Sequence, residues 1–166
     1  MINMIKEQLF LQAEEYLNKW YKVPAICMDM CSTVHEDRIL YQTISVDIEE
    51  LEPTFSQKLF DLIRTKGISE QDCYKNANLD RRLFSKIRSN DDYQPSKNTV
   101  FALIFGLKLD LKEAIELLDA AGYSISHSLK MDVLIEFLII KKVYDINTVN
   151  EVLYKYNCPL LGNVKE

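Results

Sequence analysis

Glycine and proline are both scarce, four of each in 166 residues, and that scarcity excludes the turn-dense sandwiches and barrels of all-β chains. Cysteine also numbers four (Cys27, Cys31, Cys73, Cys158), without the density or paired spacing of a disulfide framework, so a reducing, cytoplasmic setting is expected. No apolar run is long enough to span a membrane: the densest, Val133-Leu-Ile-Glu-Phe-Leu-Ile-Ile140, is interrupted by Glu136 and reads as a buried helix. No membrane partner is expected. The amino-terminal residues include Lys6, Glu7, Glu14 and Glu15 where an export signal would place a basic end and an apolar stretch.

Catalytic groupings are missing too. The chain holds no Gly-rich phosphate loop and no nucleophile elbow, and its two histidines, His35 and His127, lie far apart, so a non-enzymatic role is expected. Cys27, Cys31 and His35 are spaced by four and would line one face of a helix. A structural zinc site needs four ligands, and only Asp29, Glu36, Asp37 or the distant His127 remain to complete it, so neither a metal nor a cofactor is expected.

What is present is helix material. With 48% hydrophobic and 27% charged residues and no low-complexity tract, the chain reads as a globular, mainly α protein. Residues 1–52 form an acidic amino-terminal extension with four Lys/Arg against ten Asp/Glu, net −6. Within it Ile5, Leu9, Phe10, Ala13, Tyr16, Leu17 and Trp20 recur at helical spacing, predicting a helix over 3–22, and Ile44-Ser-Val-Asp-Ile48 alternates as a short strand does. Residues 53–163 form a second, helical unit with regular punctuation. Thr54 and Gln57 make a capping box, Gly67 a stop, and Ser69, Asp80, Ser96, Asp110, Ser128 and Asp145 stand where further helices would be capped. Gly122 would close the fifth helix of this unit. The sixth, from Ser128 to about Lys142, is apolar around much of its circumference and is a candidate seam to a partner copy.

The segment Asp80-Arg-Arg-Leu-Phe-Ser-Lys-Ile-Arg-Ser-Asn90 carries the strongest functional signal. At about 100° per residue, Leu83, Phe84 and Ile87 fall together while Arg81, Arg82, Ser85, Lys86 and Ser89 face the other way. Two arginines just after the cap sit where the helix dipole disfavours positive charge, so local stability does not account for them. Residues 75–97 carry six Lys/Arg and three Asp, net +3, in a chain of net −5. Two occupants suit such a face: nucleic-acid phosphate, or a carboxylate-rich surface on the amino-terminal segment or on another protein.

Helices over 69–76 and 80–89, joined by Ala77-Asn78-Leu79, have the spacing of a helix-turn-helix, with Tyr74 and Ala77 packing on the following helix and Asn78 at a positive φ. Through Ile68 to Asp80, Arg81 to Arg88 and Pro95 to Leu107, residues 54–124 resemble the lambda-repressor-like, Xre-type helix-turn-helix family. The resemblance implies a five-helix bundle extended by two carboxyl-terminal helices, and it implies DNA-binding transcription regulation. The stretch through Pro159-Leu-Leu-Gly-Asn163 also resembles a carboxyl-terminal helical domain of various bacterial proteins. Carried over by position, the family's base-reading helix implies groove contacts at Arg81, Arg82, Ser85 and Lys86, and its phosphate contact falls on Ser69 or Gln71. Lys75 and Lys86 are the further candidates for phosphate. The family's habit of reading half-sites in pairs implies a homodimer. The competing expectation is an adaptor in which the same bundle grips another protein and DNA plays no part.

Overall fold

The computed structural model describes residues 2–21, 53–90 and 92–162, and within these the chain forms eight α-helices and no strand. They are α1 (Ile2–Trp20), α2 (Phe55–Lys66), α3 (Glu70–Asn76), α4 (Arg81–Ser89), α5 (Lys97–Gly106), α6 (Leu111–Ala120), α7 (Lys130–Ile140) and α8 (Ile146–Lys155). The expected strand at 44–48 and the Cys27, Cys31 and His35 grouping lie outside the described residues.

Helix starts follow side-chain oxygens. Thr54 and Asp110 complete capping boxes with Gln57 and Glu113, and Ser69, Asp80, Ser96 and Asp145 each accept a first-turn amide, worth about 1 kcal/mol apiece. Ser128 does not cap α7. The residue at that position is Leu129, whose side chain makes no cap bond, and the helix runs only to Ile140. Ser126 and Ser128 bond to each other at 2.7 Å instead, while the Asp132 carboxylate accepts from the Ser126 amide at 2.8 Å and from Lys97. Asp132 is 2% exposed. A buried carboxylate needs such partners to stay ionised without a large desolvation cost.

Helix stops share one device. In α2 the cap itself, Gly67, and in α3, α5, α6, α7 and α8 the residue after the cap, Asn78, Lys108, Gly122, Lys142 and Asn157, adopt a positive φ. In each case its amide bonds three residues back and the next amide five back, as in Asn78 to Lys75 (3.0 Å) and Leu79 to Tyr74 (2.8 Å). This is the Schellman ending, which satisfies two carbonyls left over at the helix terminus. The residue that follows is Ile68, Leu79, Leu109, Tyr123, Val143 or Cys158, each partly or fully buried, so every stop also returns the chain to the core.

Two helices that are apolar on all sides form the centre. Val100 to Gly106 of α5 and Val133 to Ile139 of α7 are buried but for Glu136, as an all-round apolar helix requires. α5 meets α3, α6 and α8; α7 meets α1, α6 and α8; and α2 packs on α6. The expected seam on α7 is therefore occupied within the chain by α1. Tyr16 of α1 lies 5.3 Å from Phe137 between ring centroids and donates to Glu136 at 3.1 Å, and Glu136 also pairs with His127 at 2.8 Å. Burial, then Glu136, pushes the Tyr16 hydroxyl up to about 12. At the end of α8 the cap residue Tyr156 donates to the Phe10 carbonyl at 3.1 Å, and Glu151 of α8 pairs with Lys6.

Candidate functional site

α4 is held from behind by rings. Phe84 (4% exposed) meets Phe60 of α2 edge-on, centroids 5.8 Å apart, and Tyr74 of α3 at 6.0 Å, while Ile87 is fully buried. The end of α4 is tied separately: buried Ser56 of α2 donates its hydroxyl to the Ile87 carbonyl at 2.9 Å and reaches that of Asn90 at 3.3 Å. The Ile87 carbonyl belongs to the last turn and has no intrahelical donor, and the Asn90 carbonyl, at the cap, also accepts from the Tyr93 amide at 3.1 Å. Ser56 carries no sequence signal of this role, because its partners lie 31 and 34 residues away.

The turn before α4 is as constrained as the helix. Asn78 takes φ +51°, as expected. Tyr74 reaches α4, and Ala77 meets α5: a Cβ at Gly106 would lie 2.8 Å from the Ala77 Cβ and 2.8 Å from the Cys73 carbonyl oxygen. Ala77 thus lies at a close approach of α3 to α5 that only glycine at 106 permits. From the other side the chain's tail presses on the same turn. Asn150 of α8 holds Leu161 by two backbone bonds (2.8 and 3.0 Å), and Gly162, at φ +82°, has no room for a Cβ against Asn78 and Ala77. The tail that prompted the second resemblance therefore braces the α3–α4 turn.

Forward of this support stand Arg81, Arg82, Ser85, Lys86 and Ser89, all exposed. Among the described residues no carboxylate is within ion-pair distance of Arg81, Arg82 or Lys86. Ser85 donates to the Arg81 carbonyl at 3.1 Å, so it presents an acceptor oxygen rather than a donor. Arg88 behaves differently from its neighbours: it folds back to pair with Glu70 of α3 and lies 5.6 Å over the Phe60 ring. Between α3 and α4 this leaves a groove of about 590 Å³ bordered by Gln71, Tyr74, Arg81, Ser85 and the Arg88–Glu70 pair.

The remaining sequence candidates divide. Gln71 and Lys75 are exposed on α3. Ser69 is fully engaged, accepting from the Asp72 amide at 3.0 Å and donating to the Asp72 carboxylate at 2.7 Å. Glu70 and Asp72 make the first turn of α3 acidic, so the surface is bipolar, cationic along α4 and anionic at the head of α3. His127 bonds a carboxylate, Glu136, rather than backbone, and its ring lies 5.4 Å from Trp20, which is 40% exposed. Among the described residues no three His, Cys, Asp or Glu side chains group to hold a metal, and no helix is long and apolar enough to cross a membrane. Comparisons with protein-family models, with curated proteins and with solved structures find no match for this chain.

Proposed function

We propose that this protein is a cytoplasmic, non-enzymatic, DNA-binding transcription regulator of the Xre type, with α2 to α6 as its five-helix bundle and α4 as the recognition helix. One observation carries the reading: three cations and an acceptor hydroxyl stand on the exposed side of a short helix whose opposite side is clamped by Phe84 and Ile87. Nine residues span about 13 Å, which suits a major groove about 12 Å wide. Arg81 and Arg82, at the leading end, are placed to fork onto guanine O6 and N7, and Lys86 to meet phosphate. A homodimer would present two such helices to half-sites about one DNA turn apart.

Selection of bound duplexes from a randomised pool, followed by fluorescence anisotropy, tests this. Wild type is expected to enrich a sequence with guanines in each half-site, and Arg81→Ala with Arg82→Ala to lose that preference, at about 1 to 3 kcal/mol per lost bidentate contact. No enrichment, or equal preference in the double variant, contradicts it.

The acidic head of α3 favours a second reading. A phosphate approaching Ser69 would meet Glu70 and Asp72, whereas a protein surface carrying both signs of charge would complement α3 and α4 together. In that case the same protein is an adaptor, and the duplex experiment shows no enrichment.

A further inference from the structure

A second basic surface shares no lining residue with the groove along α4. The carboxyl ends of α3, α5 and α7 converge on a cleft of about 530 Å³, with Lys75, Lys108 and Lys142 around it and Phe105, Tyr144 and Ile146 supplying apolar wall. Among the described residues none of these three lysines is ion-paired. Among the described residues that line the cleft the one carboxylate, Asp145, is spent on the start of α8, accepting from the Thr148 amide at 2.9 Å and its hydroxyl at 2.8 Å. Three lysines against one aspartate put the lining side chains at net +2, which more than offsets the negative poles of the three helix ends.

A lysine near a helix end offsets the negative pole of the dipole, and any position in the last turn serves for that. What the dipole does not explain is the backbone at two of these three. Lys108 and Lys142 sit at φ +53° and +55°, where an L residue other than Gly or Asn is disfavoured by roughly 1 kcal/mol. Among the described residues the other four Schellman endings carry Gly or Asn. Lysine replaces them at two positions only, and both line this cleft. The wall is also fixed in place: the Tyr144 hydroxyl donates to the Leu109 carbonyl at 3.0 Å, and the ring packs 6.5 Å from Phe105 between centroids.

We propose that this cleft binds a small phosphorylated ligand of the nucleotide class, its phosphates met by Lys75, Lys108 and Lys142 and its ring laid against Tyr144. The volume lies within the range of small-molecule sites, and lysine ammonium groups bind phosphate as mobile point charges. This holds whether or not α4 meets DNA.

Calorimetric titration of the full chain with ADP, pyrophosphate and adenosine tests it, beside the variant Lys108→Asn with Lys142→Asn. Asparagine removes both charges and suits the left-handed backbone, so the variant is expected to melt no lower than wild type. Wild type is expected to bind ADP saturably, pyrophosphate more weakly and adenosine hardly at all, with ADP affinity falling roughly tenfold or more in the variant. The amides of Lys108, Tyr144 and Ile146 should shift in NMR spectra as ADP is added. Should the paired variant melt early, Lys75→Gln, on an exposed helix face, gives the same comparison with a smaller expected loss. Absence of saturable ADP binding, or unchanged affinity in the variants, overturns the proposal. So does a DNA duplex whose binding depends on Lys108 and Lys142 while ADP remains inert, since that would assign the cleft to a polymer's phosphates.

Discussion

Two side chains, Cys73 and Tyr16, make the fold sensitive to alkali. Burial pushes the Cys73 thiol up to about 12 from an ordinary value of 9.0, and burial with Glu136 pushes the Tyr16 hydroxyl up to about 12 from 10.0. An unfolded chain releases these protons first, so it binds fewer of them than the folded chain across this interval. Stability is therefore fully present below about pH 9 and declines as pH rises toward about 12, by on the order of a few kcal/mol for the fully buried thiol and less for the partly exposed phenol. Urea midpoints measured at successive pH values should fall over that interval, and more gently in Cys73→Ala. A midpoint that stays level from pH 9 upward would contradict the burial of both groups. Residue-scale chemistry of this kind cannot be read from sequence. Cys73 is one of four cysteines in the sequence, and its burial comes from packing against α5, a partner some thirty residues away.

At the scale of the element, the approach of α3 to α5 is a tight joint behind the α4 face. Gly106→Ala places a methyl 2.8 Å from both the Ala77 Cβ and the Cys73 carbonyl, and α3 must move to admit it, at about 1 to 3 kcal/mol. Alanine also favours a helix interior by up to about 1 kcal/mol, so a net loss in thermal unfolding would show that the steric term dominates. Unchanged or raised stability would mean that the two helices are not in such contact. The starts of α2, α3, α4, α5, α6 and α8 were legible in the sequence, because a capping oxygen acts on amides two or three residues away. So was the positive φ of Asn78. The start of α7 was not, since Ser128 bonds Ser126 rather than a first-turn amide and Asp132 draws on Lys97 across 35 residues. Distance also hid the roles of Ser56, Ala77 and Gly162. Each is set by a partner from another helix, and spacing along one helix does not reveal it.

Across the whole molecule, the main difference from the sequence reading concerns α7. Its all-round apolar surface suggested a seam between copies, yet α1 covers it, with Ala13 and Leu17 buried and Tyr16 bonded to Glu136. Periodicity shows that a helix is covered; it does not show by what. The front of α4 was legible as a basic face because anchor and display positions separate cleanly at helical spacing. Its charge also stands against the rest of the chain, net +3 over residues 75–97 within a total of −5. Such an arrangement favours oriented contact with an anion over indiscriminate adhesion.

The most direct test of that contact is the dependence of DNA affinity on salt, measured with the full chain and one duplex, for wild type and for Lys86→Ala. Each phosphate neutralised by a lysine contributes about 0.9 to the slope of log affinity against log salt concentration. Wild type should therefore bind more weakly as salt rises, and Lys86→Ala should bind more weakly at every salt with a slope shallower by roughly that amount. Identical slopes for the two proteins, or no binding even at low salt, would show that the basic side of α4 does not meet nucleic acid.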